Sequence, residues 1–438
     1  MHHPPIEYLY RLFLEANQCV CTDTRKIEKG AIFFALRGDN FNANEFASQA
    51  IEKGCAYAVI DDEAFYVEGK TILVTNVLET LQTLANFHRN QLNIPILAIT
   101  GSNGKTTSKE LLAAVLSKKY NTLATFGNLN NHIGVPLTLL SISPQHQFAI
   151  IEMGANHQGE IDTLCRIANP NFGIITNIGK AHLEGFGGIE GVKKGKSEMY
   201  RFLQHKQGLL FVNADDDVLM QLSDGMKKYC YGFKETNDMQ GKDVSQQDTV
   251  AFKFKGKDNS AAWDSVPTVQ TQIVGHYNLI NCLAACCIGK YFGVSDDQIA
   301  QALSAYTPNM NRSQLVKTAY NTIILDAYNA NPNSMRAAIE NFAKIKANQK
   351  LLLLGDMFEL GDYAAQEHQT VVDLLTVKQF TNVVLVGPNF KKTNGHAFKT
   401  FEDTEACMAY LNQHSFQNYY VLIKGSRGMK METLQSNL

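Results

Sequence analysis

Apolar residues from Ile94 to Ile99 form a nearly continuous run, the pattern of a strand buried on both faces of a parallel sheet. A short polar turn follows. Leu111, Leu112, Val115 and Leu116 then recur at helical spacing, with Lys118 and Lys119 at the carboxyl end where cations suit the helix dipole. Gln147 to Glu152 and Phe172 to Asn177 read as further buried strands, each ending in polar residues. Upstream, the pattern predicts an amphipathic helix over Met1 to Glu15 and strands over Ala31 to Ala35 and Ala56 to Ile60. It also predicts helices over Phe46 to Lys53 and Val77 to Gln91. The stretch from Glu235 to Ala262 is polar and predicts hairpins or loops.

Downstream, strands alternate with helices. Strands are expected at Thr322 to Tyr328, Leu351 to Asp356, Asn382 to Gly387 and Tyr420 to Lys424. Helices are expected near Ser334 to Ala347 and Ala365 to Leu375. Such alternation predicts a parallel, doubly wound sheet with ligands at the carboxyl ends of its strands. The expected fold is therefore α/β in three domains. Residues 1–92 form a small mixed α/β domain, 93–310 a central domain with a mainly parallel sheet, and 311–438 a Rossmann-like domain.

Composition narrows the function. The chain has 438 residues, and about three domains fit that length at ~150 residues each. Lys plus Arg is 40 against 42 for Asp plus Glu, a net charge of −2, so no basic excess draws it to nucleic acid or an anionic membrane. The longest apolar runs fall short of the ~18 residues that span a bilayer. The start lacks the cationic and apolar segments of a signal peptide. Nine scattered cysteines, without a disulfide or zinc pattern, predict reduced thiols in a cytoplasmic protein.

The strongest chemical signal is Thr100-Gly-Ser-Asn-Gly-Lys-Thr-Thr107, set between strand and helix. A glycine-rich turn lets backbone amides surround phosphate oxygens, and the helix adds its positive end. Lys105 can reach the β and γ phosphates, and the Thr106 hydroxyl can ligate Mg²⁺. The spacing departs from the usual phosphate loop. Two residues, not four, separate Gly101 from Gly104, and Ile99 stands where an earlier glycine would fall. Glu152 ends the strand before Gly154, and His182 follows another strand end in Thr176 to Phe186. A carboxylate and a neutral imidazole beside a phosphate loop suit a metal site. Lys193-Lys-Gly-Lys-Ser-Glu198 taken alone is a solvated lysine-rich segment. Three more polar motifs, Asp326 to Pro332, Leu354 to Gly361 and Lys424 to Glu432, close strands in the last region.

These motifs together resemble the Mur ligases, the ATP-dependent amide-forming enzymes of peptidoglycan precursor synthesis. Thr100 to Thr107, Glu152, Asn177 to Phe186, Gly275 to Asn281, Arg312 and Asp326 carry the shared pattern. Gly127 to Leu137, Tyr328 to Pro332, Leu354 to Gly361 and Lys424 to Lys430 resemble the branch that joins D-alanyl-D-alanine to UDP-N-acetylmuramoyl-tripeptide. The alternative is a Mur-type ligase adding another amino acid to a UDP-muramoyl peptide.

The resemblance implies roles. Gly101, Ser102, Asn103, Gly104, Lys105, Thr106 and Thr107 would bind ATP phosphates, with Asn278, Arg312 and Asp326 on the rest of the nucleotide. Thr106, Glu152 and His182 would hold Mg²⁺, together with Lys196 as a carbamate. Lys105, Glu152, His182 and Lys196 would form the catalytic set. Thr24, Arg25 and Arg37 would hold the UDP end of the precursor, and Asn128 and Asn131 would face it from the central domain. Asn329, Asn331, Ser426 and Arg427 would meet the dipeptide. Relatives often carry Ser at position 24 and an acid at 325, where this chain has Thr24 and Leu325. The resemblance further implies a monomer with no nucleic-acid or membrane partner. A nucleotide-driven switch would be expected to have a phosphate loop of usual spacing, and a non-catalytic scaffold to lose Lys105, Glu152 or Lys196.

Overall fold

The computed structural model describes residues 4–246, 248–309 and 311–438. The first three positions of the expected amino-terminal helix lie outside the described residues. The helix itself runs Ile6–Glu15 and buries Leu9, Leu12 and Phe13.

Three large sheets follow one another along the chain, in addition to a two-stranded hairpin of Arg37–Gly38 and Phe41–Asn42. The first has four parallel strands, Val20–Cys21, Ile32–Phe34, Tyr57–Ile60 and Thr71–Leu73. The helix Val77–Gln91 follows, matching the expected span, because Asn76 caps it by accepting from the Glu79 amide at 2.9 Å. Its contacts reach both ways, to Ile6–Glu15 on one side and to Gly134–Leu140 and Glu160–Ala168 on the other. Arg89 reinforces this by donating to the carbonyls of Ala168 and Leu92 and to Asn171 Oδ1. The first two regions thus share a core through one helix.

The second sheet has nine strands. Thr122–Ala124, Phe148–Glu152, Ile96–Thr100, Phe172–Ile175, Leu209–Asn213, Lys228–Gly232 and Met239–Asp243 are parallel in that spatial order. Thr249–Gly256 and Val269–Val274 complete it antiparallel. The polar stretch from 235 to 262 therefore forms a hairpin, as expected. Every residue of Ile96–Thr100 and of Phe148–Glu152 is buried, so both strands carry side chains into the layers on either face.

The third sheet has six strands. Gln314–Lys317 is antiparallel at the edge, followed in space by Thr322–Asp326, Tyr420–Lys424, Lys350–Gly355, Val383–Val386 and Lys399–Phe401, all parallel. The last strand in the chain inserts between the second and third, which brings the residues after 326 beside those after 424. Among the described residues, no helix is long and apolar enough to cross a membrane.

Candidate functional site

The carboxyl ends of the second and third sheets enclose a cavity of about 1030 Å³. Its floor is the turn after Ile96–Thr100 and the start of the helix Lys105–Leu116. Gly101 has φ +142°, and a Cβ there would collide with Thr176 Oγ1. Gly104 has φ +78° and lies against Asn281. Both positions need glycine for backbone shape and close approach. Ile99 is buried inside the strand, so the shorter loop begins directly at the sheet edge.

The loop is braced from the next strand end. The Ser102 amide donates to Asn177 O at 3.0 Å, and the Asn103 amide to Asn177 Oδ1 at 3.0 Å. Ser102 Oγ accepts from the Gly179 amide at 2.9 Å and donates to Gly179 O at 3.0 Å. The first-turn amides of the helix that begins at Lys105 face the loop end, where a helix N-terminus suits an anion. Lys105 Nζ donates to Gly101 O at 2.7 Å, arched over the loop it would serve. Burial pushes its pKa down, with Arg312 adding to the fall and Glu152 opposing it.

Glu152 is 1% exposed and fully engaged. Its carboxylate accepts from Thr106 Oγ1 at 3.0 and 3.2 Å and from Asn130 Nδ2 at 2.8 Å. Lys109 Nζ stands 3.9 Å away, itself buried and donating to Thr125 O at 2.7 Å. Asn130 and Lys109 thus orient the carboxylate, and neither was singled out from sequence. Asn130 lay inside a quoted motif, which was its only signal. Asn128 and Asn131 line the same cavity, and Asn131 Oδ1 caps the helix Gly134–Leu140 by accepting from the Gly134 amide at 2.9 Å.

His182, at φ +52°, also lines the cavity, with Nδ1 2.5 Å from Glu359 Oε2 as a close ion pair when the ring is protonated. Among the described residues, no three His, Cys, Asp or Glu side chains gather as a metal cage. Thr106 and Glu152 nevertheless fit Mg²⁺, which commonly takes one or two carboxylates and completes its shell with water and substrate phosphates.

Lys196 is 1% exposed, at the end of Ile189–Lys196. Its Nζ donates to Ala155 O at 3.0 Å and lies 5.1 Å from the Phe186 ring centre. Ala155 is a cavity wall residue, so Lys196 sits directly behind that wall. Burial pushes the amine well below its usual range, and the Lys105 charge pushes it further. The carboxylates of Glu160 and Glu198 oppose that shift. Glu198 is turned away, accepting from the amides of Gly159 and Asp162 at 2.6 and 2.9 Å.

The opposite wall comes from the third sheet and the segment before it. Asp326 Oδ1 accepts from the Ser313 amide at 3.1 Å, and Oδ2 from Lys424 Nζ at 2.6 Å. The Arg312 guanidinium lies 3.6 Å over the Tyr328 ring, and its buried Nε has no hydrogen-bond partner among the described residues. Asn278 Nδ2 donates to Val274 O at 2.9 Å and is joined by Asn281. Asn329 and Asn331 both line the cavity, and Asn331 also caps Pro332–Lys344 and donates to Asn103 Oδ1 at 2.7 Å. Ser426 and Arg427 stand outside the cavity lining. Ser426 is buried, its Oγ accepting from the Phe358 amide, and Arg427 Nη1 donates to Tyr328 Oη at 3.4 Å. Thr24, Arg25 and Arg37 are also remote from it. Arg25 pairs with Asp23 at 2.8 Å and Arg37 with Asp61 at 2.6 Å, both on the first region's surface.

Comparison with known proteins agrees with this geometry. Residues 99–289 match the Mur ligase middle domain, and residues 311–427 match the Mur ligase glutamate ligase domain. The chain belongs to the Mur ligase family. It is 35% identical to the UDP-N-acetylmuramoyl-tripeptide–D-alanyl-D-alanine ligase of Bacillus subtilis over 96% of this chain and 92% of that one. It is 33% identical to the Escherichia coli enzyme of the same name, over 94% and 92% of the two chains. The crystal structure of MurF from Acinetobacter baumannii superposes with a TM-score of 0.86 at 31% identity, covering 98% of each chain. The three-sheet plan of this Mur ligase is therefore that of the relatives that add a dipeptide.

Proposed function

We infer that this Mur ligase joins D-alanyl-D-alanine to UDP-N-acetylmuramoyl-tripeptide, with ATP cleaved to ADP and phosphate. The observation that carries the reading is the cavity between a phosphate loop and a Rossmann-like sheet, in a chain matched end to end by ligases of that name. A carboxylate does not acylate amines unaided. The tripeptide carboxylate attacks the γ-phosphorus and gives an acyl phosphate, and the dipeptide amine then displaces phosphate.

Lys105 and the helix amides hold the phosphates. Arg312, with its unpartnered buried Nε, and Asp326 take the nucleotide. Thr106, Glu152 and His182 would hold Mg²⁺ with a carbamylated Lys196, and bound cations would neutralise phosphate charge. A buried, neutral amine is the form that adds CO₂, and the depressed Lys196 supports that modification. Thr24, Arg25 and Arg37 take the UDP end. Asn128 and Asn131 face the precursor, and Asn329, Asn331, Ser426 and Arg427 take the dipeptide. The working units are residues 1–92, 93–310 and 311–438. The cavity is complete in one chain, which supports a monomer, and nine unpaired thiols support a cytoplasmic setting. The test is phosphate release from ATP with UDP-muramoyl-tripeptide and a panel of amines. Dependence on D-alanyl-D-alanine supports the reading, and amine-independent release rejects it.

A further inference from the structure

The loop after Phe172–Ile175 is gripped from two sides at the adjacent residues Gly179 and Lys180. On one side Gly179 is held by Ser102 of the phosphate loop through two hydrogen bonds, at 2.9 and 3.0 Å. On the other, Lys180 Nζ donates to Glu367 Oε1 at 2.5 Å, on the helix Ala364–Val377 of the last region. The Lys180 amide also donates to Asn333 Oδ1 at 3.3 Å. Glu367 is 5% exposed on its side chain and Lys180 is 49% exposed. Among the described residues, the Glu367 carboxylate has Lys180 as its hydrogen-bond partner, 187 positions away in sequence. A second link runs beside it, Asn331 Nδ2 to Asn103 Oδ1 at 2.7 Å.

We propose that Lys180 and Glu367 are positioning residues for the amide-forming step. Their ion pair seats the dipeptide-side region on the phosphate loop through Gly179 and Ser102. Neither side chain lines the cavity. A carboxylate with so little exposure, matched to one cation from a distant region, favours one docked arrangement over others. The loop lies close to the last region at this point, since a Cβ on Gly179 would stand 2.6 Å from the side-chain nitrogen of Asn333. The inference rests on the acyl-phosphate reading given above. In the docked arrangement the dipeptide amine attacks the acyl carbon, the C–N bond forms, the C–O bond to phosphate breaks, and the amine loses a proton. Without docking, water reaches the same carbon, and the tripeptide carboxylate is regenerated with loss of phosphate.

The experiment compares wild type, Glu367→Gln, Lys180→Met and the swap Lys180→Glu/Glu367→Lys. Phosphate and amide product are counted in the same reaction. Wild type is expected to give one phosphate per amide. Each single variant is expected to form amide about tenfold more slowly, with a raised KM for the dipeptide and more than one phosphate per amide, while the KM for ATP stays within about twofold. The swap is expected to bring the ratio back near one. Small-angle scattering with ATP bound should show the single variants more extended than wild type. A ratio that stays at one in both single variants, a swap that does not recover it, or unchanged scattering overturns the proposal. A wild-type chain that makes no amide rejects the functional reading instead, and scattering still decides whether the pair docks the regions.

Discussion

Asp326 and Lys424 are register partners at the carboxyl ends of two adjacent parallel strands, and Lys424 Nζ donates to Asp326 Oδ2 at 2.6 Å. The acid therefore has two tasks. Its Oδ1 holds the Ser313 amide at the cavity wall, and its Oδ2 neutralises an ammonium that is almost fully buried.

Asp326→Ala is expected to raise the KM for ATP about tenfold or more while kcat changes by less, since a contact made equally in ground and transition states supports uniform binding. The same change leaves Lys424 without its acid and should lower stability by about 2–4 kcal/mol. Steady-state kinetics and calorimetry read the two effects separately. An unchanged KM with a collapsed kcat would place Asp326 in the chemical step.

Lys105→Ala is expected to abolish ligation and leave the fold intact. Among the described residues its ammonium bonds to carbonyls of its own loop, so its loss chiefly removes charge from the loop. Circular dichroism should be unchanged. Wild-type turnover in this variant would remove the loop from the ATP site.

Gly101→Ala is expected to cost about 1–3 kcal/mol and to weaken ATP binding sharply, because the residue combines a φ of +142° with backbone and Thr176 atoms where a Cβ would go. Gly127, with φ +55° and open space around it, is the control, and Gly127→Ala should cost less. Equal effects at both positions would mean the close approach to Thr176 is unimportant.

Lys196→Ala is expected to be nearly inactive and partly rescued by acetate or formate, which replace the missing anion. Lys196→Glu should keep more activity than Lys196→Arg. The sign of the pH effect follows from burial, which lowers the amine's pKa. The neutral form that adds CO₂ is present at lower pH than for an ordinary lysine near 10.4, and activity should fall on acidification through the depressed value. Between that value and about 10.4 the unfolded chain holds the extra proton, so this group makes stability rise with pH. A carbamate carbon signal from labelled bicarbonate, absent in Lys196→Ala, checks the modification directly. Full activity with Arg would show that a cation is needed there.

Much of the fold was legible because its elements carry local signals. Val77–Gln91 has a cap at Asn76 and a regular apolar stripe. The strand runs before residues 100, 152, 326 and 424 are short, apolar and closed by polar residues. The edge strands Gln314–Lys317 and Val269–Val274 escaped notice because half-exposed alternation over a few residues is a weak pattern. Motifs at strand ends marked the cavity, since sheet topology delivers such ends to one edge. What sequence could not show was pairing across distance. Lys109 beside Glu152, Lys424 beside Asp326 and Glu367 beside Lys180 join segments tens to hundreds of residues apart. Asn331 lines the cavity and also caps a helix and bridges to Asn103, two tasks with no signal in the motif that contains it.

The central claim is dipeptide addition. The most direct measurement is mass spectrometry of the UDP-muramoyl product after incubation with ATP, Mg²⁺, UDP-muramoyl-tripeptide and an equimolar mixture of D-alanyl-D-alanine, D-alanine, L-lysine and diaminopimelate. The account predicts a single new species, heavier by one D-alanyl-D-alanine less water, with one phosphate released per molecule formed. Incorporation of a single amino acid in its place, or phosphate release with no new species, would contradict it.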